Sequence, residues 1–128
     1  MRFDQYIGLP FVDHGRDRSG VDCWGLVRLV LMEQFDITLG DYVYRDTFDQ
    51  QAIPAAFAAG AIDWRRVEHG QAGDVALLRV GGRPMHCGLV IEEGLMLHVE
   101  SGLKGAFIED YTGPKWRNRI EGIYRYGR

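Results

Sequence analysis

Three residues able to act as nucleophile or proton carrier stand out in this chain: Cys23, His86 and His98. Cys23 lies in Asp22-Cys23-Trp24-Gly25-Leu26-Val27, where a loop rich in Gly, Asp and Arg gives way to the apolar period Leu26, Val27, Leu29, Val30, Leu31. That change of pattern predicts the start of a helix. The unpaired N–H groups and positive dipole end of a helix N-terminus favour an anion, so a thiol there ionises more readily. With an imidazole to take its proton, such a thiol attacks a carbonyl, forms a thioester and is freed by activated water. A second imidazole on the far ring nitrogen of the first fixes its tautomer. This chemistry needs no metal and no cofactor.

The same residues have plainer readings. Cys23 could be a small buried hydrophobe, His98 a hydrogen-bonded core residue, and Asp22 only a helix cap. Cys23, His86 and His98 could instead hold zinc, since thiolate and imidazole both suit it. Cys87 follows His86 and should point to the other sheet face, where packing is its role. His14 and His69 lie in polar stretches and read as solvated, and Arg16 and Arg18 as loop charges or contacts for an anionic substrate.

The elements that must position these groups can be read from periodicity. A short helix is expected around Phe3 to Ile7, ending at Gly8, followed by a polar loop from Asp13 to Val21. The main helix runs from about Cys23 to Phe35, capped by Asp22 and broken by Gly40 and Asp41. Asp49 to Ala59 is rich in alanine and reads as a second helix, with Pro54 in its first turn. The period then becomes extended: Val75 to Val80, Met85 to Ile91, Leu95 to Glu100, Ala106 to Asp110 and Ile120 to Tyr126 give about five strands. Helices first and an antiparallel meander second is an α+β layout. Parity sets one geometric expectation. His86 and His98 share a face if a three-residue loop, Glu92 to Gly94, opposes Ile91 to Leu95 and Gly88 to His98.

Length and composition bound the rest. A chain of 128 residues with 46% hydrophobic and 26% charged residues is read as a single domain over 1–128 with a real core. A net charge of -3 gives no general attraction for nucleic acid, and the apolar runs are too short to span a membrane. The N-terminal stretch lacks the apolar centre of a secretory signal, so synthesis in the cytoplasm without a signal peptide is expected, with Cys23 and Cys87 as free thiols.

A nucleophile on an early helix and a base on a later sheet is the papain-like order, and the residues resemble a narrower group. The stretches Tyr6 to Phe11, Asp22 to Val27, Gly73-Asp74-Val75-Ala76, His86 to Ile91 and Leu97-His98-Val99 are similar in order and spacing to the NlpC family of bacterial cell-wall cysteine peptidases. The resemblance implies a papain-like NlpC fold and an endopeptidase cutting the γ-D-glutamyl to diamino-acid bond of peptidoglycan stem peptides. It implies Cys23 as nucleophile, His86 as base and His98 as the residue orienting it. Asp22 matches a position that recognises the free amine of the stem peptide. Phe11 stands where the family usually has a tyrosine, and Trp24 where it has a serine, so both are expected to shape the substrate site. The missing tyrosine leaves the Cys23 backbone N–H as oxyanion donor. Asp-Cys-Trp-Gly also resembles the branch found in phage tails and gene-transfer particles, which implies tail-tip proteins as partners. Two alternatives stay open: a catalytically silent tail structural or adaptor protein, and a thioester-forming amidase or acyltransferase.

Overall fold

A computed structural model describes residues 2–102 and 105–127. After a single 3-10 turn at Asp4–Tyr6, the chain forms a two-stranded ribbon, β1 (Arg16–Asp17) and β2 (Gly20–Val21), within the segment expected to be only loop. The main helix, α1, spans Cys23–Phe35 as expected. It stops earlier than Gly40, because Asp36 adopts a left-handed conformation (φ 55°) and Ile37 N–H reaches back to Leu31 O at 3.0 Å. An aspartate tolerates that conformation better than most residues. The second helix, α2 (Ala52–Gly60), begins three residues later than Asp49, whose side chain instead accepts the Ala52 N–H at 3.0 Å.

A six-stranded antiparallel sheet follows, in the order β3-β8-β4-β5-β6-β7. Its members are β3 (Trp64–Val67), β4 (Val75–Val80), β5 (Arg83–Glu92), β6 (Leu95–His98), β7 (Phe107–Asp110) and β8 (Ile120–Tyr126). Of these, β3 escaped the sequence pattern. Trp-Arg-Arg-Val has no period-two alternation, and its two arginines suit an edge strand, which pairs with β8 on one side alone. Helix α1 lies on one face, where Leu26, Val27, Val30 and Leu31 bury against Val75, Cys87, Leu89 and Leu97. On the other face Ala76, Leu78, Val90, Met96, Tyr111 and Trp116 form a second buried cluster. A helix apolar on most of its circumference is stable only when covered in this way. Among the described residues no helix is long and apolar enough to cross a membrane.

The β5–β6 hairpin corrects the expected loop. The turn has two residues, Glu93 and Gly94, opposing Glu92 to Leu95, and Gly94 takes φ 90°. Taken alone that turn would put the histidines on opposite faces. A bulge at Ile91 then shifts the ladder so that Val90 pairs with Met96 and Leu89 with Leu97, restoring even parity. His86 and His98 therefore share a face through a short turn plus a bulge.

Candidate active site

Cys23 opens α1, and Asp22 caps the helix with Oδ1 accepting the Gly25 N–H at 2.8 Å. Gly25 is required there, since a Cβ would lie 1.9 Å from the Gly15 carbonyl oxygen. The sulfur is almost wholly buried and lies beside two side chains of β5, His86 and Cys87. As hydrogen-bonding neighbours, Cys87 first and then His86 pull the Cys23 thiol well below its ordinary range, against the opposing effect of burial. Cys87 is pushed up by the same contact and by its own burial. Cys87 does turn away from the His86 side of the sheet, but the side it turns to is that of α1, where Cys23 begins the helix. The expectation of packing alone is therefore incomplete.

His86 and His98 form the second half of the site. His86 Nε2 and His98 Nδ1 are 2.9 Å apart, and His98 Nε2 meets Glu109 Oε1 at 2.9 Å. Glu109 also accepts the Trp116 Nε1–H at 2.8 Å, and Trp116 stacks on His86 with centroids 5.6 Å apart. Gly88 permits the close approach of β6, because a Cβ there would sit 2.7 Å from the Met96 sulfur and 3.3 Å from His98 Cβ. Burial first, and then the charge of His86, lower the His98 pKa, so His98 is neutral at neutral pH. Burial works against ionisation of Glu109, but Trp116 and His98 outweigh it and hold the carboxylate below its ordinary range. An ionised Glu109 takes the proton-bearing Nε2 of His98, which leaves His98 Nδ1 as an acceptor for His86 Nε2–H. His86 Nδ1 is then free to act as base. Cys23, His86, Phe11, Trp116 and Arg119 line one groove of about 320 Å³.

A model of the NlpC/P60 family matches residues 8–125. The chain belongs to the NlpC/P60 family. It is 27% identical over 125 residues to the murein DD-endopeptidase MepS/murein LD-carboxypeptidase of Escherichia coli (strain K12), a match covering 95% of this chain and 60% of that protein. A probable endopeptidase of Haemophilus influenzae is 29% identical over 123 residues, covering 94% and 68%. The chain thus spans about 60% of the length of the Escherichia coli relative. Among solved structures, the NlpC/p60 domain of the peptidoglycan hydrolase SagA superposes with a TM-score of 0.64 at 20% identity, covering 95% of this chain and 91% of that one. A NlpC/P60 family protein from Bacillus cereus ATCC 10987 gives 0.70 at 22% identity, covering 98% and 38%. These neighbours share the fold.

Against this NlpC/P60 background the three residues expected at the substrate separate. Phe11 lines the groove, tied by a parallel bridge to Val21. Trp24 does not line it. The indole is buried behind Cys23, 5.1 Å from Tyr42 and 6.3 Å from Phe57 between ring centroids, and with Cys23 it lines a neighbouring small pocket. Asp22 is also fully buried. Oδ1 accepts Gly25 N–H and Arg16 Nη1 at 2.8 and 2.7 Å, and Oδ2 accepts His14 N–H at 3.0 Å and the Tyr44 hydroxyl. Arg16 in turn grips Asp41 through Nε and Nη2 at 2.8 and 3.1 Å. A carboxylate has about four acceptor positions, and all four are filled from within the chain. Glu109 and Tyr44 were missed in the sequence, Trp116 was read only as packing, and Arg16 was read as a loop charge or substrate contact rather than as the partner of Asp22. They reach the site through strand register and loop return, which no local pattern encodes.

Proposed function

We propose that this NlpC/P60 domain is a cysteine endopeptidase of peptidoglycan stem peptides, with Cys23 as nucleophile, His86 as base and His98 as the residue that orients it. The observation that supports this most is the unbroken polar chain from His86 through His98 to Glu109, ending beside a buried thiol with a lowered pKa. His86 Nδ1 removes the Cys23 proton and the thiolate adds to the scissile carbonyl. The first-turn amide of Cys23 has no intrahelical partner and stabilises the oxyanion. His86 returns the proton to the leaving amine, then activates the water that cleaves the thioester.

The bond we assign is that between γ-D-glutamate and the diamino acid, on the resemblance of the motifs; the name of the Escherichia coli relative supports a DD cross-link as the second reading. With Asp22 saturated, the enzyme does not depend on a free amine at the peptide's N-terminus. The Asp-Cys-Trp-Gly string further supports a place in a phage or prophage tail, where a tail-tip subunit would cut the wall locally. Digestion of defined muropeptides followed by mass spectrometry tests the reading, with Cys23→Ala as control. Cleavage lost in the variant is the expected result. If native protein releases no fragment while particles carrying Cys23→Ala assemble and enter cells normally, the structural tail reading replaces it. Acyl transfer to an added amine in place of hydrolysis would make it an acyltransferase.

A further inference from the structure

Beside the His86–His98 pair, on the same groove, lies a third ligand-type group that the proposed mechanism does not use. Glu100 Oε1 lies 3.7 Å from His98 Nδ1, and one ligand atom from each of His86, His98 and Glu100 falls within 4.8 Å of the other two. The atoms concerned are two imidazole nitrogens and a carboxylate oxygen, the donor types that tetrahedral zinc accepts. Zinc with Zn–N bonds of about 2.0 Å holds its ligand atoms roughly 3.3 Å apart. The imidazole nitrogens at 2.9 Å would therefore open slightly, and the Glu100 carboxylate would swing in from its place 3.7 Å from His98 and within 4.8 Å of His86.

Two further features favour a metal at this point. His98 Nε2 is already held by Glu109, whose carboxylate is fixed by Trp116, reproducing the outer carboxylate that commonly orients a zinc-bound imidazole. His98 is fully buried and His86 nearly so, while Glu100 is partly open beside the groove and gives an entry path. We propose that His86, His98 and Glu100 form an inhibitory zinc site, in which the metal replaces the shared proton between the two imidazoles and leaves Cys23 outside the ligand set. A fourth position would be taken by water. The sequence alone suggested Cys23 as the third ligand; the fold instead brings Glu100 within ligand distance of both imidazoles.

One cation competes for the site. Lys115 Nζ contacts both Glu100 carboxylate oxygens, at 3.0 and 3.2 Å, and must swing aside for Glu100 to bind metal. Titration of zinc chloride against a chromophoric chelator, on the purified chain, tests the proposal without any peptidase assay. Cys23→Ala should keep one zinc per chain at near-native affinity, Glu100→Gln should weaken it at least about tenfold, and Lys115→Gln should tighten it. Circular dichroism confirms that each variant is folded. The proposal is overturned if Cys23→Ala removes zinc binding, which would mark a thiolate site, or if native protein takes up no stoichiometric zinc. Where peptide cleavage has been established, zinc should suppress it and EDTA restore it. Failure of cleavage with zinc binding intact would count against the proposed function and leave the metal site standing.

Discussion

Adjacent residues of β5 serve two unlike environments. Cys87 faces α1 within a cluster of aliphatic side chains and touches the proposed nucleophile, whereas His86 faces Trp116 and heads a row of polar groups that runs to Glu109. On the first side the thiol is conditioned by a helix terminus and a few neighbours in an otherwise apolar setting. On the second, each ring is fixed by a hydrogen bond to the next. The contrast implies that substitutions on the α1 side move the ionisation of Cys23, while those on the Trp116 side beyond His86 itself disturb proton handling and leave that ionisation nearly alone.

The largest expected effect lies on the Trp116 side. His86→Ala removes the proposed base, and the rate of muropeptide cleavage should fall by about 10²–10⁴. His86→Ala should also slow alkylation of Cys23 by iodoacetamide, since the imidazole helps to hold the thiolate. A variant that keeps near-native cleavage would end the assignment of roles to the two sides.

Next comes the support beneath α1. Asp22→Ala strips a fully buried carboxylate from Arg16, Tyr44, His14 and the helix cap, and loss of one partner from such a pair costs about 3–5 kcal/mol. Arg16 keeps Asp41 and stays partly solvated, so the lower end is expected, read as a decrease in unfolding free energy in urea. Native enzyme should cut peptides with free and acetylated N-terminal amines at similar rates. Strong preference for the free amine would show that Asp22 is released from its internal partners when substrate binds.

A smaller change is expected from Glu109→Gln. A hydrogen bond to a charged group contributes about 1.5–3 kcal/mol, so cleavage should drop by roughly tenfold to a hundredfold. The pH profile of Cys23 alkylation should stay in place, because Glu109 acts on the imidazoles. The sign for the wild type follows from the lowered thiol pKa: thiolate is present at neutral pH and is lost as pH falls through that lowered value.

The smallest effect sharpens the comparison most. Cys87→Val keeps the volume on the α1 side but removes a donor to the thiolate, worth about 1 kcal/mol or somewhat less than one pKa unit. The midpoint of Cys23 alkylation should move upward by that amount, with little change in stability. No movement would mean that Cys87 only packs.

How much of this could be read from the chain depends on how local the cause is. Helix α1, its Asp22 cap and the strand character around His86 and His98 follow from spacing within a few residues, and they stand as expected. Edge strand β3 was missed because Trp64 to Val67 is specified by its pairing with β8 rather than by alternation. Glu109 reaches His98 because of the β6–β7 register, in which Met96 faces Glu109 and His98 faces Phe107. The saturation of Asp22 depends on Tyr44, more than twenty residues away along an irregular segment. Trp24 was placed at the pocket wall because it stands where the family has a serine; one step along a helix turns a side chain by about 100°, which takes the indole out of the groove with His86 and onto a neighbouring pocket that Cys23 also lines.

The bulge at Ile91 has a bearing on how this segment tolerates changes in length. A single-residue insertion or deletion at Glu93-Gly94 would normally be absorbed by a surface turn, yet here it would invert the register that puts both imidazoles on one side. Losing Ile91 itself would do the same, regularising the ladder while rotating His98 toward α1. Length variants that retain the His86–His98 contact must therefore change the hairpin by even steps, or gain and lose turn and bulge together.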